Sequence, residues 1–349
     1  MRVLFLTLYP ETAASPRYRA LQFVPYLEAH GIRCTVACAL SQEEHRRLTG
    51  PDRRVRPFWY HAKETPRRLR QVLTARRYDV VVVQKAILTA YVRGAAGLLR
   101  GMARRLVYDI DDAVHLAPPH PLRGPWRAIE DRRQIHKLFK KADLVLAGNV
   151  WLAEQASDTG ARVELFPTVV DTARFVPSDT PQNGYRVGWI GNPSTTPHLA
   201  PAAEALGAMR PGDVCLVGAD NRKVPFEGAD VRPWSLDREV PELQHFSFGI
   251  MPLPREDWVK GKCALKALQY LACGIPCVAT PFGAVRDILR DGENGVFADS
   301  PVAWHEAFDR LRDPALRQEL GTAGRATVED GYALDKAAPR MLELLETIA

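Results

Sequence analysis

Short apolar runs alternate with longer amphipathic stretches from one end of the chain to the other. In the first half, Val3–Leu8, Cys34–Ala39, Val80–Val83, Leu106–Ile110, Leu144–Ala147 and Val163–Phe166 read as strands. Between them, helical periodicity covers 17–30, 66–76, 87–104, 126–141 and 150–158. The second half repeats the rhythm, with strands at Arg186–Ile190, Val214–Val217, Phe248–Met251, Cys277–Ala279 and Gly295–Phe297. Apolar runs without alternation suit strands buried on both faces, and the strand–helix order implies parallel sheets. The expected architecture is α/β: two Rossmann-like, doubly wound parallel-sheet domains. Ligands of such domains lie beyond the carboxyl ends of the strands.

The segment from Phe175 to Gly184 concentrates Pro, Ser, Asp, Asn and Gly before a fresh strand begins at YRVGWIG. The expected domains are therefore 1–176 and 185–331, followed by a helix over 332–349 that packs on a neighbouring domain. A length of 349 residues agrees, at about 150 residues per domain. Charge divides the same way. Residues 1–175 hold 29 basic and 17 acidic side chains, net +12, whereas the remainder is net −6. A basic half suits an acidic surface or an anionic substrate; solvated Arg clusters such as Arg53/Arg54/Arg56 and Arg67/Arg68/Arg70 are the simpler alternative.

Six cysteines form no C-x-x-C pair, and nine histidines include no H-E-x-x-H, so reduced core thiols and no zinc are expected. No apolar run approaches the roughly 20 residues of a membrane span. The opening MRVLFLTLYP reads as a buried strand rather than a leader. A cytoplasmic protein is expected, peripheral at most to the inner membrane face.

The richest stretch is Trp258-Val-Lys-Gly-Lys-Cys-Ala-Leu-Lys-Ala-Leu-Gln-Tyr-Leu-Ala-Cys-Gly-Ile-Pro276. From Lys262 it reads as a helix stopped by Gly274 and Pro276, with Lys262, Lys266, Gln269 and Cys273 along one face. The chain has ten lysines against 37 arginines, yet Lys260, Lys262 and Lys266 fall within seven residues. Lysines at a helix N-terminus, where they oppose the dipole, point to a diphosphate.

K-G-K-C-x-x-K-x-L-Q-Y-L-A-C-G-I-P-C-V-A, followed by D-G-E-N-G-V-F, resembles the retaining GT-B glycosyltransferases of family 4, or group 1. Ser15-Pro-Arg-Tyr-Arg19, Phe166-Pro-Thr-Val-Val-Asp171 and Val187-Gly-Trp-Ile-Gly191 extend the likeness over most of the chain. The resemblance implies a GT-B fold with two domains facing a cleft and a nucleotide-sugar donor on the C-terminal one. Its members place two glutamates, eight positions apart, against sugar and ribose. Here the second position is Gln269 and the first is Gly261 or, counted from Met251-Pro252, Glu256. Gln269 can still hydrogen-bond a ribose hydroxyl. Members also offer the diphosphate an Arg/Lys pair, a role that falls here to Lys262 and Lys266.

Gly191 and Asn192 follow a strand directly and form a candidate donor contact, although ordinary β-to-α turn chemistry explains them equally. Asp109, Asp111 and Asp112 close another strand, with His115 behind. Clustered carboxylates need a metal, a substrate or cationic partners. Asp111 and Asp112, then His115, are the candidates for sugar or acceptor contact. Arg17 and Arg19 open a helix capped by Ser15 and suit an anionic acceptor or the donor phosphate, or else lie on the surface. Trp234 sits where the family passes the nucleotide base, although a tryptophan packed in the fold is the better reading of it than one stacked on the base.

The expected activity is transfer of a sugar from a nucleoside diphosphate sugar to an acceptor hydroxyl, in cell-surface glycan or glycolipid synthesis. The acceptor is a glycan, a lipid-linked molecule or a small molecule, with no cofactor, metal or nucleic acid. A non-catalytic nucleotide-sugar-binding protein is the alternative. An Asp-dependent phosphohydrolase fits less well, because Ala113 replaces the Thr or Val its motif needs.

Overall fold

A computed structural model describes residues 1–49, 57–178 and 184–349. The Arg53/Arg54/Arg56 cluster and positions 179–183 of the expected linker lie outside the described residues. The chain forms two compact units. One comprises Met1–Thr168, Lys260–Cys263 and Asp335–Ala349; the other comprises Val169–Val259 and Ala264–Leu334.

Each unit is built on a six-stranded, wholly parallel sheet. The first contains β1 (Arg2–Thr7), β2 (Arg33–Cys38), β3 (Val80–Gln84), β4 (Arg105–Ile110), β5 (Leu144–Ala147) and β6 (Val163–Leu165), in the order β2-β1-β3-β4-β5-β6. The second contains β7 (Val187–Ile190), β8 (Val214–Val217), β9 (Asp230–Arg232), β10 (Phe248–Met251), β11 (Cys277–Ala279) and β12 (Gly295–Phe297), in the order β12-β11-β10-β7-β8-β9. Helices cover both faces, so β3 (VVVVQ) and β5 (LVLA) are buried throughout.

Strand order reverses between β1 and β3 in the first sheet and between β7 and β10 in the second. Beside each reversal the connections leave in opposite directions and open a crevice at the carboxyl ends. The register Val3↔Val80, Leu4↔Val81 and Val81↔Leu106, Val83↔Tyr108 places the ends of β1, β3 and β4 side by side.

Local sequence explains several departures from the expected helices. The stretch expected at 17–30 is Ala14–Arg19, a 3-10 turn Leu21–Phe23 and Val24–Ala29, because Pro25 enters where an unbroken helix would need its N–H. The stretch at 126–141 divides into a 3-10 helix, Gly124–Ile129, and the helix Gln134–Lys141. The C-terminal helix Leu334–Ile348 turns Ala338, Met341, Leu345 and Ile348 inward; from Asp335 it belongs to the first unit, where Arg340 reaches Glu164 of β6 at 3.2 Å. The cysteines are free, Cys215, Cys263, Cys273 and Cys277 buried. Among the described residues, no helix is long and apolar enough to cross a membrane.

Candidate functional site

β4 delivers three carboxylates to the first crevice, and each takes different partners. Asp109 points into the core opposite Arg19; both are essentially inaccessible. Arg19 Nε lies 3.1 Å from each carboxylate oxygen, Nη2 also donates to Asp109, and Nη1 donates to the Phe166 carbonyl at 2.7 Å. Burial pushes the Asp109 carboxyl up to about 6 against the attraction of Arg19. Burial opposes the Arg19 charge as well, but Asp109 outweighs it and holds the guanidinium protonated. This corrects the expectation that Arg19 meets an anionic acceptor or phosphate: its fork is closed around an internal carboxylate. Arg17 is half-buried, with its guanidinium 5.3 Å from the Tyr18 ring centre.

Asp111 accepts from the Ser15 hydroxyl and, at 3.1 Å, from Gln84 Nε2, which also lies 2.6 Å from Ser15 Oγ. Ser15 is therefore not a helix cap. It sits inside the first turn of Ala14–Arg19, and the cap position is Ala13.

Asp112 meets Lys85 at 2.8 Å and accepts from its own neighbour Ala113 N at 3.0 Å. Lys85 follows β3 directly and holds φ +70°, a left-handed conformation uncommon for a side chain of its size. Its N–H donates to Asp109 O at 2.8 Å, and its carbonyl accepts from Tyr108 OH at 2.7 Å. Local strain is thus held by the strand ends on either side. Burial works against the Asp112 charge, but Lys85, Lys262 and the hydrogen bonds win and hold it at about 2.

That balance gives a pH signature. A carboxyl held below its unfolded value adds stability that is complete above about pH 4 and lost as pH falls through about 2. In Lys85→Met this acid limb is expected to vanish, with a loss of about 2 kcal/mol at neutral pH. Urea unfolding curves at pH 7 and pH 3 measure both effects.

His115 is buried among Trp151, His136 and Phe139, with ring centres 5.1, 6.1 and 6.3 Å away. Neither ring nitrogen has a hydrogen-bond partner among the described residues. Burial and then His136 push its pKa down to about 4, so the ring is neutral at pH 7.

Lys260–Cys263 completes the first unit. Asn149 caps the helix Val150–Ser157 through its side-chain oxygen and donates Nδ2 to the carbonyls of Lys260 and Lys262, at 3.0 and 3.1 Å. Cys263 Sγ lies 3.4 Å from Asp111 O. Gly261 packs so tightly against Ala113 that no Cβ fits. Lys262 is consequently not helical, contrary to the expected lysine face. Ala264 takes φ +49°, and the helix begins only at Leu265.

In the second unit, the helix Leu265–Ala272 rises beside the crevice between β7 and β10. Lys266 lies in its first turn, with Nζ 4.8 Å from the Trp189 ring centre. Gln269 is buried and donates to Glu239 Oε1 at 3.2 Å. Glu239, also buried, receives Trp234 Nε1 at 3.3 Å and Arg174 Nη2 at 2.8 Å. Gly191 follows β7, and the exposed Asn192 bonds Ser194 N and Thr195 N through Oδ1 at 3.0 and 3.2 Å. Glu256 is exposed and accepts from Trp258 Nε1. Of the two positions read as glutamate sites, only Gln269 reaches this buried network. Lys85, Glu239 and Arg174 are participants that sequence reasoning missed.

Each sheet is doubly wound, with its reversal flanked by the charged groups just described. The sucrose-phosphate synthase of Thermosynechococcus elongatus superposes with a TM-score of 0.72 at 16% identity, covering 99% of this chain and 98% of that one. Anabaena HepE in complex with UDP-glucose superposes with a TM-score of 0.69 at 16% identity, covering 99% and 100%. The fold is GT-B.

Residues 214–313, which include the Lys266 helix, match the family model "Glycosyl transferases group 1". A D-inositol 3-phosphate glycosyltransferase of Xylanimonas cellulosilytica is 27% identical over 214 residues, 52% of this chain and 51% of that protein. The chain thus matches about half the length of this relative.

Proposed function

We propose that this GT-B chain transfers a sugar from a nucleoside diphosphate sugar to an acceptor hydroxyl, with retention at the anomeric carbon. The observation that carries the reading is the group 1 match over 214–313, which spans the carboxyl ends of β8 and β10 and the Lys266 helix. The second unit holds the donor. Its diphosphate meets Lys266 and the first turn of Leu265–Ala272, with Gly191 and Asn192 as further contacts. Gln269, oriented by Glu239, faces the ribose; Glu256, bonded to Trp258, is a weaker donor contact.

Negative charge grows on the departing diphosphate as the anomeric carbon becomes oxocarbenium-like. A fixed ammonium and oriented backbone N–H groups stabilise that charge without reorganising. The first unit serves the acceptor. Asp111 and Asp112 are its candidates for sugar or acceptor contact, Asp112 kept ionised by Lys85 and Lys262. His115, neutral at pH 7, can accept a hydrogen bond. Arg17 is the remaining candidate for an anionic acceptor. The product belongs to glycan or glycolipid synthesis.

A thermal-shift series with UDP-, GDP-, dTDP- and CMP-sugars tests donor binding, because a ligand bound only by the folded chain raises its apparent stability. One sugar nucleotide is expected to raise the Tm and to be hydrolysed slowly without acceptor; silence with all four overturns the reading. A sensor without turnover is the second reading, favoured by an amide at 269 and an exposed Glu256. Binding with no hydrolysis would select it.

A further inference from the structure

The first unit carries a projection that the donor chemistry does not use. From Arg123 to Ile129 every residue is exposed, and six of the seven form the 3-10 helix Gly124–Ile129. The projection is pinned at its base. Glu130 receives Leu122 N at 2.8 Å through its carboxylate, and Ile129 O accepts Arg93 N at 2.8 Å. Glu130 also bridges to Val92, while Gln134 Nε2 reaches Val92 O at 2.9 Å. A loop anchored this firmly shows its apolar side chains by construction, not by slackness.

Trp126 is 54% exposed and Ile129 43%. Side chains three apart eclipse in a 3-10 helix, so Trp126 and Ile129 form one column, with Arg123 in extended backbone just before the helix. The next helix, Gln134–Lys141, buries Gln134, Ile135, Leu138 and Phe139, and so turns His136, Lys137, Lys140 and Lys141 outward.

Charge identifies the occupant. Residues 123–141 contain seven Lys/Arg and two acids, Glu130 and Asp131. Those acids are engaged with Arg132 at 3.4 Å and Lys137 at 2.6 Å. Arg123, Arg127, Arg133, Lys140 and Lys141 form no ion pair among the described residues. We propose that this column and the adjoining lysine face dock the first unit on an anionic lipid bilayer, with Trp126 and Ile129 entering the headgroup boundary and the unpaired cations meeting lipid phosphates. Tryptophan prefers that boundary, and one apolar insertion gains a stable hold when joined to a polybasic patch.

Co-sedimentation of the full chain with vesicles tests the surface. Binding is expected to vesicles of equal phosphatidylcholine and phosphatidylglycerol, and not to phosphatidylcholine alone. Trp126→Ala/Ile129→Ala should weaken the partition at least about tenfold. Arg123→Gln/Arg127→Gln should weaken it by roughly fivefold per charge, and salt should weaken it further. Both pairs are exposed, so retained far-UV circular dichroism and Tm confirm that the variants fold. Failure to pellet with anionic vesicles overturns the proposal, as does equal binding to neutral ones or wild-type partition in the Trp126/Ile129 variant. Equally tight binding of single-stranded DNA, lost in the same variant, reassigns the face to nucleic acid and overturns it too. Vesicle binding needs no donor and no turnover, so this surface and the donor site fail separately.

Discussion

Arg19→Met is expected to cost the first unit about 3–5 kcal/mol, the range for removing one partner of a buried ion pair. Methionine fills much of the same volume but supplies no donor. Asp109 then lies in dry surroundings without a counter-charge, and the Phe166 carbonyl loses its 2.7 Å bond. The dependence on pH is fixed in sign. Burial already pushes Asp109 upward, and Arg19 is the attraction that opposes it. Without Arg19 the carboxyl protonates more readily in the folded state. A group with a raised folded pKa favours folding most below its unfolded value, about 4, and loses that contribution as pH rises. The gap between variant and wild type should therefore be wide at pH 7 and narrower near pH 4.5. Arg19→Met/Asp109→Leu should recover most of the loss, since two apolar groups of similar size leave no orphan charge. Urea unfolding of the four proteins closes the cycle; a double variant as unstable as Arg19→Met would show that packing, not charge, holds this position.

How legible such an interior was in the sequence depends on the range of the interaction. Val80–Val83, Leu144–Ala147 and Val214–Val217 announce buried strands through unbroken apolar runs, and the observed elements differ by a residue at most. β9, Asp-Val-Arg at the sheet edge, offers no such run; its half-buried residues read as loop. Composition located Lys266 because three of ten lysines cluster within seven residues, whereas Lys85, the only lysine between Lys63 and Lys137, stands alone and carries no such signal. What composition lacked was the partner. Lys85–Asp112 and Gln269–Glu239 join residues 27 and 30 positions apart; the first pair meets through the parallel register of β3 and β4, the second where the helices Glu239–Gln244 and Leu265–Ala272 come together. The break at Ala264 is of the same kind. Alanine favours a helix, so nothing local foretells a left-handed residue there.

Lys266→Ala is expected to remove the thermal shift given by the donor while leaving the fold intact. Lys266 is half-buried in the first turn of its helix, with its ammonium over the Trp189 ring. A cation there stands at the positive end of the helix dipole, a placement that costs stability unless an anion compensates. The variant should accordingly unfold at the same temperature or slightly higher without ligand. Hydrogen bonds to charged groups contribute about 1.5–3 kcal/mol, so donor affinity should fall roughly ten- to a hundredfold. Lys266→Arg separates charge from shape: a planar guanidinium keeps the charge but not the compact ammonium, so only part of the affinity should return. Gln269→Ala removes no charge, and its effect should be smaller and equal for nucleoside mono- and diphosphates, whereas loss of Lys266 should penalise the diphosphate more. Titration of both variants with UMP and UDP, or the corresponding pair for whichever base binds, distinguishes phosphate from ribose recognition. A Lys266→Ala protein that binds the diphosphate as tightly as wild type would place the pyrophosphate elsewhere and remove the helix terminus from the mechanism.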